Sequence, residues 1–402
     1  MKLNRTKLML QYCVLQGSYW ASFCVLYAFA TVFLLSRGFE SSMIGVIIAV
    51  GNILGVILQP VVASIADRSE KISLHKLTAF LSVIMIVLIA FLYMIPNVLL
   101  AVAVLFLLTD TFLQVIQPLI NSISVYYVNQ GVSVDFGAAR GVGSLSYAAA
   151  SYILGIAVER FGTKSILMAG MLVVLIMLVM VLSMPVLSSS AAGHEQPVEN
   201  KTQKDVSIFE FAGKYKNFML TLAGVTFLFT FHNMNNAYLI KVIENVGGTS
   251  ADMGRMLSIA AVTELPVMFL FSRISKHFKS STLLIVSGIF FALRAAGFML
   301  AGNVMVMYLA AMLQIGSFAL YIPSSVYYVN ETMLDQDKFK GQAVMTATNT
   351  LGGVFGSLLG GFLIDHAGVG AMNTVCFAMA AVGAVLVFLF AGRQRNADHQ
   401  MF

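Results

Sequence analysis

Five side chains in this 402-residue sequence place charge, or the capacity for it, inside otherwise apolar stretches: Asp110, Arg140, His232, Glu264 and Arg294. Ionisable groups are costly in an apolar interior and are kept where they pair, line a wet cavity or relay protons. Their order in the chain lets Asp110 pair with Arg140 and Glu264 with Arg294. Burial favours the neutral form of a carboxylate and a nearby arginine favours the charged form, so a balanced group can load and release a proton. Glu264 is therefore the expected protonation site and Arg294 its modulator, with Asp110 in the same proton-coupling set. The bland alternative for each pair is a salt bridge that only fixes packing.

Other residue types suit solute binding. In Phe231-His232-Asn233-Met234-Asn235-Asn236, a helical turn of ~100° per residue puts His232, Asn235 and Asn236 on one face, offering donors and acceptors to hydroxyl groups. Gln16 and Trp20 lie four apart, and a sugar could stack on Trp20, the single tryptophan; it could equally be a packing residue. No nucleophile–base pair, H-E-x-x-H or G-x-x-x-x-G-K-[ST] occurs, so neither an enzyme nor an ATP-driven pump is expected. Cys13, Cys24 and Cys376 lack metal spacing and are odd in number, so neither a metal site nor a disulfide framework is expected.

The elements that must position these groups are apolar helices. Hydrophobic residues make up 59% and charged residues 10%, against ~25% charged in a typical soluble chain. Mean hydropathy is +0.87. Spanning a bilayer takes ~20 apolar residues, and twelve such runs lie near 11–35, 42–65, 74–95, 98–126, 137–158, 165–187, 215–241, 252–272, 281–301, 304–329, 341–364 and 369–391. A polar linker, 188–207, divides an N-terminal six-helix bundle (1–187) from a C-terminal one (208–402). Lys2, Arg5 and Lys7 precede the first run without a cleavage site, so that run is expected to stay in the protein. Most of the 24 Lys and Arg fall with the termini and linker; only Arg37, Arg160, Lys164, Lys241 and Arg255 fall on the other side. The positive-inside rule then puts both termini in the cytoplasm.

Two repeats support this organisation. Ser124-Val125-Tyr126-Tyr127-Val128-Asn129 recurs as Ser325-Val326-Tyr327-Tyr328-Val329-Asn330. A small or apolar residue, three residues, a polar residue and a basic one recur at Ala63–Arg68, Gly155–Arg160, Phe271–Lys276 and Gly361–His366. Each half thus reads as two inverted three-helix units, an arrangement that puts a solute site at the midplane between the halves. Ala139, Gly143 and Ala148 let the fifth helix approach another closely. Gly51 and Gly55, with Gly352, Gly356 and Gly360, are expected to let the second and eleventh helices meet across the halves, or to pack within one half.

On these residues the chain resembles a major facilitator superfamily transporter over nearly its whole length. Ala63 to Lys71 is similar to the family's loop signature, with Ala63 and Glu70 in place of glycines, and the resemblance implies a gating role for Asp67 and Arg68. Phe136 to Tyr147 resembles the fifth helix of the oligosaccharide/proton and nucleoside/proton symporter branch, which includes lactose permease. The resemblance implies that Arg140 hydrogen-bonds solute and Tyr147 stacks on it, with Ser144 beside them. Asn121 stands where that branch has an acid. Gln314 stands nearest to the place of its tenth-helix histidine.

The fold expected is an all-α membrane protein of twelve transmembrane helices in two pseudo-symmetric bundles. The function expected is secondary active transport of a small polar solute (sugar, glycoside or nucleoside-like), proton-coupled, by alternating access in a cytoplasmic membrane. The alternative is a drug or metabolite exporter of the same fold. The solute-binding set is Gln16, Trp20, Asn121, Arg140, Ser144, Tyr147, His232, Asn235, Asn236 and Gln314. A lipid bilayer and a small-molecule substrate are the expected partners, with no nucleic acid, a monomeric state and no cofactor beyond the coupling proton.

Overall fold

The computed structural model describes residues 5–68, 73–187 and 208–393, with no side chains described for 66–68, 208 and 209. The linker and both chain ends lie outside these residues. So do the side chains of Asp67 and Arg68, the expected gating pair.

In the N-terminal half, α1 (Arg5–Phe23) passes through a π-turn (Cys24–Ala28) into α2 (Ala30–Ser36). It is followed by α3 (Ser41–Arg68), α4 (Leu74–Met94), α5 (Leu99–Asn129), α6 (Phe136–Phe161) and α7 (Lys164–Ser183). The C-terminal half opens with the short α8 (Ile208–Lys214), then α9 (Lys216–Ala237), α10 (Leu239–Glu244), α11 (Ser250–Ile274) and α12 (Ser280–Leu300). It closes with α13 (Val304–Met312), α14 (Phe318–Thr332) and α15 (Asp335–Phe390). Polar residues start several helices by satisfying free N–H groups: Ser73 caps α4, Asp135 caps α6, Asn303 caps α13, and Thr249 with Asp252 forms a capping box on α11.

Among the described residues nine helices are long and apolar enough to cross a membrane, or ten with the bent first pair. Two further spans are hidden from that count. The 56-residue α15 is two helices broken at Gly368, whose φ of 83° favours glycine. The other is α9, whose C-terminal turn carries His232, Asn233, Asn235 and Asn236. Counting both gives the twelve spans expected.

The halves meet along α3 with α15 and along α6 with α11. A methyl on Gly155 of α6 would lie 2.7 Å from the Ser250 carbonyl and 2.9 Å from Gly254 Cα of α11. A methyl on Gly45 or Gly361 would collide with the backbone of Ser357 or Ser41 across the other seam. Of the two placements expected for the glycines of the second and eleventh helices, packing within one half is the one found. Gly51 and Gly55 make room for Asp110 and Gln114 of α5, while Gly352, Gly356 and Gly360 make room for Phe229, Met234 and Tyr238. These stripes bind each half together, and the seam between halves uses other small residues.

Acidic side chains lock the same end of the molecule. Asp365 accepts from the backbone N–H of Ser41 (3.2 Å) and Ser42 (2.6 Å), and from the Ser42 hydroxyl. Glu159 accepts from the hydroxyl of Thr249, the α11 cap, at 3.3 Å. Thr31 donates to the Ala237 carbonyl at 2.5 Å, and the Tyr238 hydroxyl lies 3.1 Å from the Ser41 carbonyl. Each joins one half to the other. Among the described residues, these bonds between halves cluster at the end carrying the α2–α3, α6–α7 and α10–α11 connections.

Candidate functional site

Three helices break beside one cavity between the halves. The π-turn follows Trp20 and Phe23, the α9–α10 break at Tyr238 follows His232 and Asn236, and Gln314 sits in a 3₁₀ turn between α13 and α14. Irregular backbone at membrane depth is tolerated where it lines a cavity or is buried in protein. The cavity wall includes Trp20, Arg140, Ser144, Tyr147, His232, Asn236, Glu264, Arg294 and Gln314.

The N-terminal face of the cavity is built on an arginine and an indole. The Arg140 guanidinium lies 3.7 Å from the centre of the Trp20 ring, and its Nη1 donates to Ser144 Oγ at 3.1 Å. Such a cation–π contact contributes ~0.5–2 kcal/mol, more when water is excluded. Gly143 makes this possible, because a methyl there would sit 2.5 Å from Trp20 Cδ1. Tyr19 meets Trp20 edge-on, with centroids 5.4 Å apart.

The C-terminal face carries both kinds of charge. Gln314 Nε2 donates to Glu264 Oε1 at 2.6 Å. Arg294 Nη1 lies 3.0 Å from His232 Nδ1, and His232 Nε2 lies 3.1 Å from the Asn236 amide. Arginine can only donate, so Nδ1 of a neutral imidazole accepts and the ring proton sits on Nε2. Asn236 must then turn its amide oxygen to that proton. The imidazole stacks on Phe318 at 4.8 Å with planes 9° apart, which fixes its orientation. Gln314 Oε1 and Arg294 Nε are buried without a partner. Both belong to residues of the cavity wall, where a bound polar solute could satisfy them.

The predicted ion pairs do not form. Among the described residues neither Asp110–Arg140 nor Glu264–Arg294 is a salt bridge. Arg140 has turned to Trp20 and Ser144, and Arg294 to His232, so both arginines find partners that leave the acids to amides. Asp110 accepts from Gln114 instead, at 3.1 Å, outside the cavity wall.

Three solute-binding candidates also lie off the wall. Gln16 donates to Tyr12 (2.8 Å) and to Asn121 (3.1 Å), closing a pair between α1 and α5. Asn235 is buried, and neither its amide nitrogen nor its oxygen has a partner. Sequence reasoning missed the apolar walls, chiefly Phe23, Phe298 and Phe318. Phe318 lies four residues after Gln314, a spacing that could have flagged it.

The MFS_1 like family profile matches residues 11–375, nearly the whole chain. The chain belongs to that family. As a member of the MFS_1 like family it is a membrane transporter of the major facilitator fold, not an enzyme. It is 25% identical to the maltose permease of Geobacillus stearothermophilus over 386 residues, covering 94% of this chain and 95% of the permease. It is 22% identical to the uncharacterized transporter YwbF of Bacillus subtilis (strain 168), over 90% of this chain and 88% of that one. Among solved structures it superposes on the nucleoside transporter NupG with a TM-score of 0.79 at 17% identity, covering 96% and 98% of the two chains. A bacterial homolog of the human lysosomal transporter Spinster, inward-facing and unoccupied, gives a TM-score of 0.69 at 12% identity, over 98% of each chain.

Proposed function

We propose that the chain imports a small hydroxylated solute of the sugar, glycoside or nucleoside class, coupled to protons, by alternating access between its two halves. The observation that carries this reading is the cavity's composition. An aromatic platform bearing a cation, Trp20 with Arg140, joins a carboxylate, Glu264, and the Arg294–His232 pair around one space. A ring with several hydroxyls can stack on the indole and hydrogen-bond to both kinds of charge.

The names of the maltose permease and of NupG support the same substrate class. Under the positive-inside rule the tightly bonded end faces outward, so this conformation is closed to the outside. Glu264 was the protonation site expected from sequence. With Gln314 bonded to it and two arginines on the same cavity wall, we read it first as a solute-binding carboxylate. The protein is proposed to act as a monomer without a cofactor.

The test is uptake by proteoliposomes of a panel of labelled sugars and nucleosides, with and without an inward proton gradient. Accumulation of one solute, abolished by an uncoupler, is the expected result. Equilibration indifferent to the gradient would reject proton coupling. No uptake of any panel member would favour export.

A further inference from the structure

One buried acid has no role in the cavity. Asp110, in the middle of α5, is 3% exposed. Its Oδ2 accepts from Gln114 Nε2 at 3.1 Å, and its Oδ1 has no partner. No salt bridge reaches it from any described residue.

The cations on the elements packed on α5, Arg5 and Lys7 of α1, Arg68 of α3 and Lys76 of α4, all stand at helix ends, away from the middle of α5. From α1 and the π-turn after it the titratable neighbours are Tyr19 and Tyr27, both in electrostatic reach of the carboxylate. From α3 come Gly51 and Asn52, which are uncharged, and Gly51 is where a side chain would collide with Asp110. On α4 the titratable groups lie at its two ends: His75, bonded to Tyr127; Lys76 beside it; and Tyr93 under Lys164.

We infer that Asp110 is the seat of the coupling proton, and that Gln114 and Asn52 carry its presence to the seam between the halves. The inference rests on the proton-coupled reading above and gives that proton a residue. An ionised carboxylate sealed in this pocket would have one amide donor and no counter-charge, which a folded interior does not tolerate. With a proton on Oδ1 the group is neutral, and one O–H bond forms or breaks as the proton enters from one side and leaves to the other.

The readout is a short relay. Gln114 Nε2 stands 3.1 Å from Asp110 Oδ2 and 3.1 Å from Asn52 Oδ1. The Asn52 amide nitrogen in turn lies 3.1 Å from where a side chain on Gly353 of α15, in the other half, would begin. Loss of the proton leaves the carboxylate in need of donors. Around it stand the Gln114 amide, already bonded to it, the Asn52 amide one bond further along, and the Tyr19 hydroxyl, which is itself buried without a partner. Turning Asn52 toward Asp110 withdraws it from the opposite half. Tyr19 touches Trp20, so a solute on the indole lies one residue from the same carboxylate.

The test is infrared difference spectroscopy of the full-length protein in lipid vesicles, titrated from neutral to alkaline pH. The wild type is expected to show the carbonyl stretch of a neutral carboxylic acid that disappears on titration. The band is expected to be missing in Asp110→Asn and present in Glu264→Gln. If Asp110→Asn does not assemble, Asp110→Glu serves instead, and the band is expected to persist at a displaced frequency. A band lost in Glu264→Gln and kept in Asp110→Asn, a band unmoved by Asp110→Glu, or no such band in the wild type would overturn the inference. None of those results depends on uptake, so gradient-driven accumulation by the wild type can still stand. Conversely, gradient-independent uptake would reject the proposed coupling while the band still reports on Asp110.

Discussion

Asp365, at the end of one α15 helix, caps the helix that begins at Ser41 in the other half, accepting from two of its free N–H groups. A carboxylate at a helix N-terminus satisfies orphan donors and meets the positive end of the helix dipole. Here the helix belongs to the opposite bundle, so the cap holds the halves together. Removing a cap costs ~0.5–2 kcal/mol, or roughly a 2- to 30-fold shift in population. Asp365→Ala is therefore expected to favour separation of this end. Spin labels at Glu40 and Ala367, both exposed, would report it as a longer distance population. An unchanged distance distribution would contradict the role given to Asp365.

The α6–α11 seam gives a steric prediction. A methyl on Gly254 would strike the Ser151 backbone, so Gly254→Val is expected to prevent sealing while each bundle stays folded. Transport should fall roughly 5- to 160-fold, since overpacking a tight contact costs ~1–3 kcal/mol. With the native cysteines replaced, a cysteine at Ser151, buried here, should react with an impermeant thiol reagent only alongside Gly254→Val. Equal reactivity in both backgrounds would remove the seam from the mechanism.

Trp20 offers a direct reading of solute binding, because it is the only tryptophan. Its emission is expected to change on addition of transported solute and to stay constant with non-substrates. Trp20→Leu removes the platform under Arg140, with an expected loss of ~0.5–2 kcal/mol, seen as a rise of a few-fold or more in KM. A substrate that leaves the emission untouched would place binding elsewhere.

Among the described residues, His232 accepts the only hydrogen bond that the Arg294 guanidinium donates. His232→Leu would strand a buried donor, at ~1–3 kcal/mol, and lower the thermal unfolding midpoint of the detergent-solubilised protein. His232→Gln, which keeps an acceptor, should recover part of the loss. Equal midpoints for the two variants would mean the bond carries no stability.

Much of this architecture could be read from residue types. Apolar runs of membrane length and the placing of Lys and Arg depend on local composition, so ten of the twelve spans also stand out by length and hydropathy in the structure. The remaining two are α9, whose polar last turn lowers its hydropathy, and the second helix of α15, which is as apolar as the others but runs on from its neighbour across the single residue Gly368. The cavity set was legible where a polar side chain stood on an apolar helix, as with Arg140, Glu264 and Gln314. Partnerships were not. Pairing Asp110 with Arg140 needs the rotation and depth of two helices, which composition does not encode. The indole of Trp20 took the place the acid was expected to fill. Asn235 shares a helical face with Asn236 by simple periodicity, yet only Asn236 reaches the cavity wall.

The turns that seal the structure are one design used twice. In α6, Gly155 is followed four residues later by Glu159 and seven later by Gly162, at φ 79°; in α15 the same spacing gives Gly361, Asp365 and Gly368, at φ 83°. Each glycine admits the other half's backbone, each acid engages a helix start beyond the divide, and each left-handed glycine ends the segment. The molecule therefore shuts on a matched pair of clasps, one on each flank of the path. Both must fasten, so a fault in either leaves the door ajar.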